Sequence, residues 1–215
     1  MKYQYSKAIK YYLKNLLGKI RREQRGKIVV ALLFAAIFAS SFFLEKPQAT
    51  SASKPTIQLK KGYQCPCKVS HISDGDSITA ICPTTCSQSG DPKGKWQKIR
   101  VRIWGMDAPE MGQKPWGERA KSALIKLLPK EKDGMITLRI RDRDHYQRYV
   151  AQLFYQKKDI GLEMVRLGEA VVYQQYNNDP QYYQAERDAK AAKRGIWSQP
   201  GHQQNPAAWR KVNPR

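Results

Sequence analysis

The sequence predicts an α+β protein: a five-stranded β-barrel of the OB type with three helices, preceded by one N-terminal transmembrane helix. Three observations carry that expectation. Five short strand-like segments, with helical segments inserted late, suit a small antiparallel barrel with a few helices. An Asp74-Gly75 pair between two apolar runs is the strongest short-range hairpin signal. Far upstream, Ile28 to Leu44 (IVVALLFAAIFASSFFL) is a 17-residue run without formal charge.

Composition divides the chain. Residues 1–27 hold nine Lys and Arg against Glu23 alone, a net +8, and read as a basic cytoplasmic segment. The run 28–44 is, as a helix, roughly 25 Å long, at the short end of what crosses a bilayer. It has no polar face, which argues against a buried soluble helix. With Lys and Arg crowding its N-terminal side, an uncleaved signal anchor is expected, leaving everything after Leu44 outside the cytoplasm. The rival is a cleaved signal peptide, with Ala39, Ser40 and Ser41 near its end, and a secreted product. Residues 45–62, rich in Ala, Ser, Thr, Pro and Lys, read as a flexible linker. Residues 63–200 read as the folded domain and 201–215 as a polar tail.

The whole chain carries 39 Lys and Arg against 18 Asp and Glu, a formal net charge of +21. Removing the basic segment leaves +13, so the folded part is itself cationic. That excess points to a polyanionic partner, nucleic acid or anionic lipid, and disfavours a cationic substrate. A hydrophobic content of 41% supplies a core and argues against wholesale disorder.

Within the domain, Lys68 to Ser73 and Ser77 to Cys82 flank the Asp-Gly turn as the first two strands. Cys65, Cys67, Cys82 and Cys86 all lie in this region; C-x-C with C-x3-C is not a standard zinc spacing. In an oxidising compartment disulfides are the better account. A hairpin turning on Asp74-Gly75 pairs residues whose numbers sum to 149, setting Cys67 opposite Cys82 and leaving Cys65 and Cys86 to close an outer loop. A polar loop is expected from Pro83 to Lys95. Gln97 to Trp104 then alternates, with Ile99, Val101 and Ile103 on one face and Arg100 and Arg102 on the other. Met135 to Arg141 and Tyr149 to Tyr155 complete the strands. Glu118 to Leu128 carries Ala120, Leu124 and Leu127 at helical spacing and stops at Pro129. Asp159 caps a short helix bearing Ile160, Met164 and Leu167, stopped by Gly168. Asp179-Pro180 opens a helix with Tyr182, Ala185, Ala189 and Ala192 inward, ending at Gly195.

Carboxylates and arginines collect where these strands end: Asp74-Gly75-Asp76, then Arg102 with Asp107-Ala108-Pro109-Glu110, then Asp144 to Arg148. By itself Asp-Gly-Asp is what a turn needs. The ordered stretches SDGDS (73–77), VRIWGMDAPE (101–110), GERAKSAL (117–124), DRDHYQR (142–148), LEMVRLGEAVVY (162–173) and AERDAKAAKRGIW (185–197) say more. Together they resemble the thermonuclease, or staphylococcal-nuclease-like, domain family, from Val69 to Trp197.

That resemblance implies a five-stranded OB barrel with three helices and calcium-dependent hydrolysis of DNA and RNA phosphodiesters. Asp76 and Asp107 are similar to the family's metal-binding carboxylates, and Ala108 stands where a backbone carbonyl joins them; oxygen donors suit Ca²⁺. Glu110 matches the residue that activates the attacking water. Arg102 and Arg148 match the arginines that grip the phosphate with planar, paired donors. Tyr146 matches a tyrosine near the scissile phosphate, and Tyr176 one that stacks on a base; for Tyr176 a plain surface tyrosine is an equal reading. Gln147 departs from a glycine common before the second arginine, Ala108 from a threonine, and the cysteine pairs and the loop 83–95 are additions. His71, His145 and His202 are too scattered for a zinc site, and Asp142 and Asp144 read as arginine partners. A membrane-anchored nuclease acting as a monomer is the first reading. A non-catalytic nucleic-acid-binding module of the same fold is the second, and a polybasic membrane-surface protein leaves the acid–arginine set unexplained.

Overall fold

The computed structural model describes residues 59–129 and 134–214, all within the unit Ser53–Arg215. The basic segment and the expected anchor at 28–44 lie outside the described residues. Among the described residues no helix is long and apolar enough to cross a membrane.

Among the described residues eight strands appear in chain order: β1 (Gln64–Ile72), β2 (Ser77–Thr85), β3 (Lys93–Ile103), β4 (Met106–Asp107), β5 (Ile136–Arg143), β6 (Tyr149–Tyr155), β7 (Lys158–Asp159) and β8 (Val171–Val172). The long ones pair antiparallel in the order β3-β2-β1-β5-β6. Then β3 pairs with β6, Val101 opposite Tyr149, and closes the expected five-stranded barrel. This closing pair is parallel, so the barrel is not antiparallel throughout. The reason is arithmetic: strands cannot alternate in direction all the way round a ring with an odd number of members.

Alternation builds the interior. In β3 the side chains of Ile99, Val101 and Ile103 are buried while Lys98 and Arg100 are exposed, as the period of two requires. Ile78, Ala80, Ile136, Leu138, Ile140, Ala151 and Leu153 fill the barrel with them. Each large aliphatic side chain removed from water contributes about 1.5–3 kcal/mol. The expected polar loop from Pro83 to Lys95 is shorter than read, because β2 runs on to Thr85 and pairs with Lys93. Gly94, at φ +80°, takes up the irregularity opposite Thr84.

Both disulfides join the expected partners, Cys67 to Cys82 and Cys65 to Cys86. The route to that register differs from a plain two-residue turn. Ser73 N–H donates to the Ser77 carbonyl, so the loop is Asp74–Asp76 and Ile72 faces Ile78, a sum of 150. One extra residue, Ser70, then restores Val69↔Ala80 and Lys68↔Ile81 at 149. A longer turn and a bulge cancel.

Four α-helices are found among the described residues: α1 (Trp116–Leu127), α2 (Ile160–Arg166), α3 (Pro180–Ala191) and α4 (Pro206–Val212). Ala120 and Leu124 of α1 are buried as expected. The Asp159 carboxylate accepts the N–H groups of Gly161 and Leu162 at 3.0 and 3.3 Å, and Asp179 caps α3 through Gln181 N–H at 3.0 Å. Two inward expectations fail at helix ends. Leu167 and Ala192 are exposed, because α2 stops at Arg166 and α3 at Ala191, before either side chain completes the buried face. The fourth helix is unexpected, since 201–215 reads as tail. Asn205 caps it by accepting from Ala208 N–H at 2.9 Å, and Pro206 pre-sets its first turn.

Candidate active site

The β1–β2 turn, the end of β3 and the segment after β4 meet on one side of the barrel. Gly75 permits this approach: a β-carbon there would lie 2.7 Å from the β-carbons of both Ala108 and Ala120. The turn can therefore sit directly against the segment carrying Asp107 and against α1. Asp76, 5% exposed, accepts the Ser77 hydroxyl at 2.8 Å and the Ala108 N–H at 3.3 Å. The Arg102 guanidinium pairs with Asp76 and, through Nη2 at 2.6 Å, with Asp107, which is 1% exposed. Asp107 is held on β4 by its pairing with Val171. One guanidinium thus lies between two buried carboxylates.

The electrostatics follow from that arrangement. Burial alone would raise the Asp76 carboxyl, yet Arg102, Ser77 and the Ala108 N–H outweigh it and hold it below the usual carboxylate range. Asp74, in the same turn, is instead pushed up to about 6 by burial and by the charge of Asp76. Burial opposes the charge on Arg102, but Asp76 and Asp107 hold its guanidinium above the usual range.

Glu110, 9% exposed, donates its N–H to Gln113 Oε1 at 2.7 Å. Arg148 closes a turn in which the Asp144 carboxylate accepts its N–H at 2.9 Å and its Nε–H at 2.8 Å. Its Nη1 donates to Ser77 Oγ at 3.3 Å, and Ser77 donates to Asp76, which ties the second arginine to the first carboxylate. Gln147, just before it, has φ +63°, the left-handed conformation that a glycine adopts freely. Tyr146 is 60% exposed with its ring 5.5 Å from Arg148 Cζ. Tyr176, equally exposed, meets Tyr173 edge-on at 5.2 Å, and the Tyr173 ring lies 6.0 Å from Arg102 Cζ. Asp76, Arg102, Asp107, Ala108, Glu110 and Arg148 therefore come together, with Tyr146 and Tyr176 beside them. His71 and His145 are exposed, as the bland reading expects, and Asp144 serves Arg148.

One residue of this cluster is absent from the sequence reading. Arg210, on α4, places Nη1 3.0 Å from Asp107 Oδ1 and 2.9 Å from Glu110 Oε1, and Nη2 2.8 Å from Asp107 Oδ2. Burial opposes its charge, but the hydrogen bonds it donates to Asp107 hold the guanidinium above the usual range. The pair Asn205-Pro206 is a helix-start signal that a closer reading of the tail would have caught. The contact itself, across 103 residues, leaves no local trace.

Among the described residues no group of three or more His, Cys, Asp or Glu converges as a metal cage. Asp76 and Asp107 nonetheless share a single cation, the Arg102 guanidinium. Two hard oxygen donors that already flank a positive charge fit a divalent cation that keeps much of its water.

The family model described as staphylococcal nuclease homologue matches residues 100–199. An uncharacterized endonuclease of Haemophilus influenzae is 37% identical over 145 residues, covering 67% of this chain and 72% of the relative. A protein of Oryza sativa subsp. japonica named probable staphylococcal-like nuclease is 33% identical over 115 residues, 54% of this chain. The alignment spans only 29% of that plant protein's length. A probable endonuclease of Leptosphaeria maculans is 35% identical over 117 residues, 48% of this chain and 39% of its own. The chain belongs to the staphylococcal nuclease homologue family.

Proposed function

We propose that this protein is a calcium-dependent endonuclease that hydrolyses phosphodiester bonds of DNA and RNA. The observation that carries the reading is the convergence of Asp76, Arg102, Asp107, Glu110 and Arg148 from four separate segments into one cluster. A module that only bound nucleic acid would need the arginines but not buried carboxylates beside them.

The chemistry follows from the side chains. The Glu110 carboxylate takes a proton from a water as its oxygen attacks phosphorus; the opposite P–O ester bond breaks, and the departing alkoxide takes a proton from solvent to leave as an alcohol. Arg102 and Arg148 offer planar forks to the phosphate oxygens, and this donor pattern fits the charge that spreads over them in the transition state. Arg148 is pre-aimed by Asp144 and Ser77, so little ordering remains to be done when substrate arrives. Asp76, Asp107 and the Ala108 carbonyl would hold the cation, which would supply Lewis-acid polarisation of a phosphoryl oxygen. Tyr146 lies near the scissile phosphate and Tyr176 stacks on a base, which suits low sequence preference because every base has a π-face.

The same reading places the domain outside the cytoplasm, anchored by residues 28–44. Two disulfides within the domain support an oxidising compartment.

The test uses the full chain with plasmid and single-stranded DNA, in calcium or in chelator, beside Glu110→Gln. Calcium-dependent cleavage is expected, falling about 10²–10⁴-fold in the variant while DNA affinity stays within about twofold. Tight binding without cutting, in calcium or any other divalent ion, would instead make the protein a binding module.

A further inference from the structure

We infer that Arg210 is a positioning residue of the active site: from α4 it fixes the Glu110 carboxylate relative to Asp107, making the C-terminal helix one wall of the site. The inference rests on the nuclease reading above, and Arg210 lies outside the residues matched to the family.

The contact is built for orientation. A single planar guanidinium takes both oxygens of Asp107, at 3.0 and 2.8 Å, and shares Nη1 with Glu110 at 2.9 Å. Asp107 Oδ1 also accepts from Arg102 Nη2 at 2.6 Å. Two carboxylates of like charge repel; a rigid fork between them cancels that repulsion and sets the angle at which Glu110 is presented. A lysine, with one point-like ammonium, has no geometry that does all three jobs.

The helix carrying Arg210 is docked against the same loop that carries Glu110. Gln113, fully buried, accepts the Glu110 N–H through Oε1 at 2.7 Å and donates through Nε2 to the His202 carbonyl at 2.8 Å. At Gly112 a β-carbon would lie 2.7 Å from Trp209 Cη2, so the indole rests on bare backbone. Gln203, also buried, ties the approach to α4 back to the carbonyls of Ile196 and Gln199 at 3.2 and 2.8 Å. Glu110 is therefore held at its amide by Gln113, itself tied to His202; Gly112, two residues on, is covered by Trp209; and the Glu110 carboxylate is taken by Arg210. A detachable plug would need none of the first two contacts.

The experiment compares the full wild-type chain with Arg210→Gln and Arg210→Lys at a temperature where all are folded by circular dichroism. Turnover, KM, affinity for single-stranded DNA, thermal midpoint, and amide exchange of residues 108–113 in chelator are measured. For Arg210→Gln, kcat is expected to fall about 10- to 100-fold, with KM and DNA affinity within about twofold. Amides of 108–113 should exchange faster while those of the barrel do not change. Arg210→Lys should recover the thermal midpoint but not the turnover. Unchanged or higher turnover in Arg210→Gln overturns the inference, since the contact would then be idle or obstructive. Full recovery of kcat by lysine overturns it too, because charge alone would suffice. If the wild-type chain cuts nothing, the nuclease reading fails separately. The exchange data then decide alone: unchanged protection of 108–113 counts against Arg210 holding this loop.

Discussion

Gln147 holds a left-handed backbone conformation at φ +63°, where its β-carbon crowds the neighbouring carbonyl at a cost of about 1–2 kcal/mol. Glycine removes that cost and returns part of it as unfolded-state freedom. Gln147→Gly should therefore raise unfolding free energy by about 1 kcal/mol in denaturant titration. Cleavage should stay within about twofold, because Arg148 is aimed by Asp144 rather than by the side chain before it. A variant no more stable than wild type would show that the turn carries no such strain. This position was legible beforehand, since the family resemblance marks it as a glycine site. Asp76, Arg102, Asp107 and Glu110 were legible for the same reason, as parts of short ordered stretches. Arg210 was not: one arginine among Lys211, Val212 and Asn213 has no spacing to betray it, and its partners lie on the far side of the barrel sequence.

At the level of elements, the β1–β2 hairpin shows how a correct pairing can rest on two compensating departures. The three-residue loop at Asp74–Asp76 shifts the register by one, and the bulge at Ser70 shifts it back before the cysteines are reached. The resulting Cys67–Cys82 bridge spans 15 residues. Replacing both cysteines by serine should cost about 3 kcal/mol, mostly by freeing the unfolded chain. Chemical denaturation of the oxidised double variant checks this, and a loss below about 1 kcal/mol would mean that the hairpin is already held by its ladder. The long strands and three helices were readable because their apolar periods run over many residues. Strands β4, β7 and β8 have two residues each, too few to express any period; β4 and β8 form by meeting across the fold, and β7 by pairing with β6.

For the whole molecule, the net charge acquires a location. Strands β1, β2 and β3 contain no Asp or Glu and expose Lys68, Lys93, Lys95, Lys98 and Arg100, a surface that leads along β3 to Arg102. Phosphate contacts there release counterions, so binding of single-stranded DNA should weaken with salt by about 0.7 in log–log slope per contact. Lys95→Gln with Lys98→Gln, in the Glu110→Gln background, should flatten that slope by about 1–1.5. An unaltered slope would put the nucleic acid on another face. The parallel seam of β3 and β6 sets Arg102 beside Val150 and so brings Arg148 to the same end. Its two strands are far apart in the chain, as are β1 and β5, so both of these pairings close longer loops than the hairpins do. The cluster that unites Arg102 with Arg148 is thus complete only once this long-range seam has closed. Mild heating that parts only this seam would leave two intact hairpins and both bridges, yet silence the enzyme well before the chain unfolds.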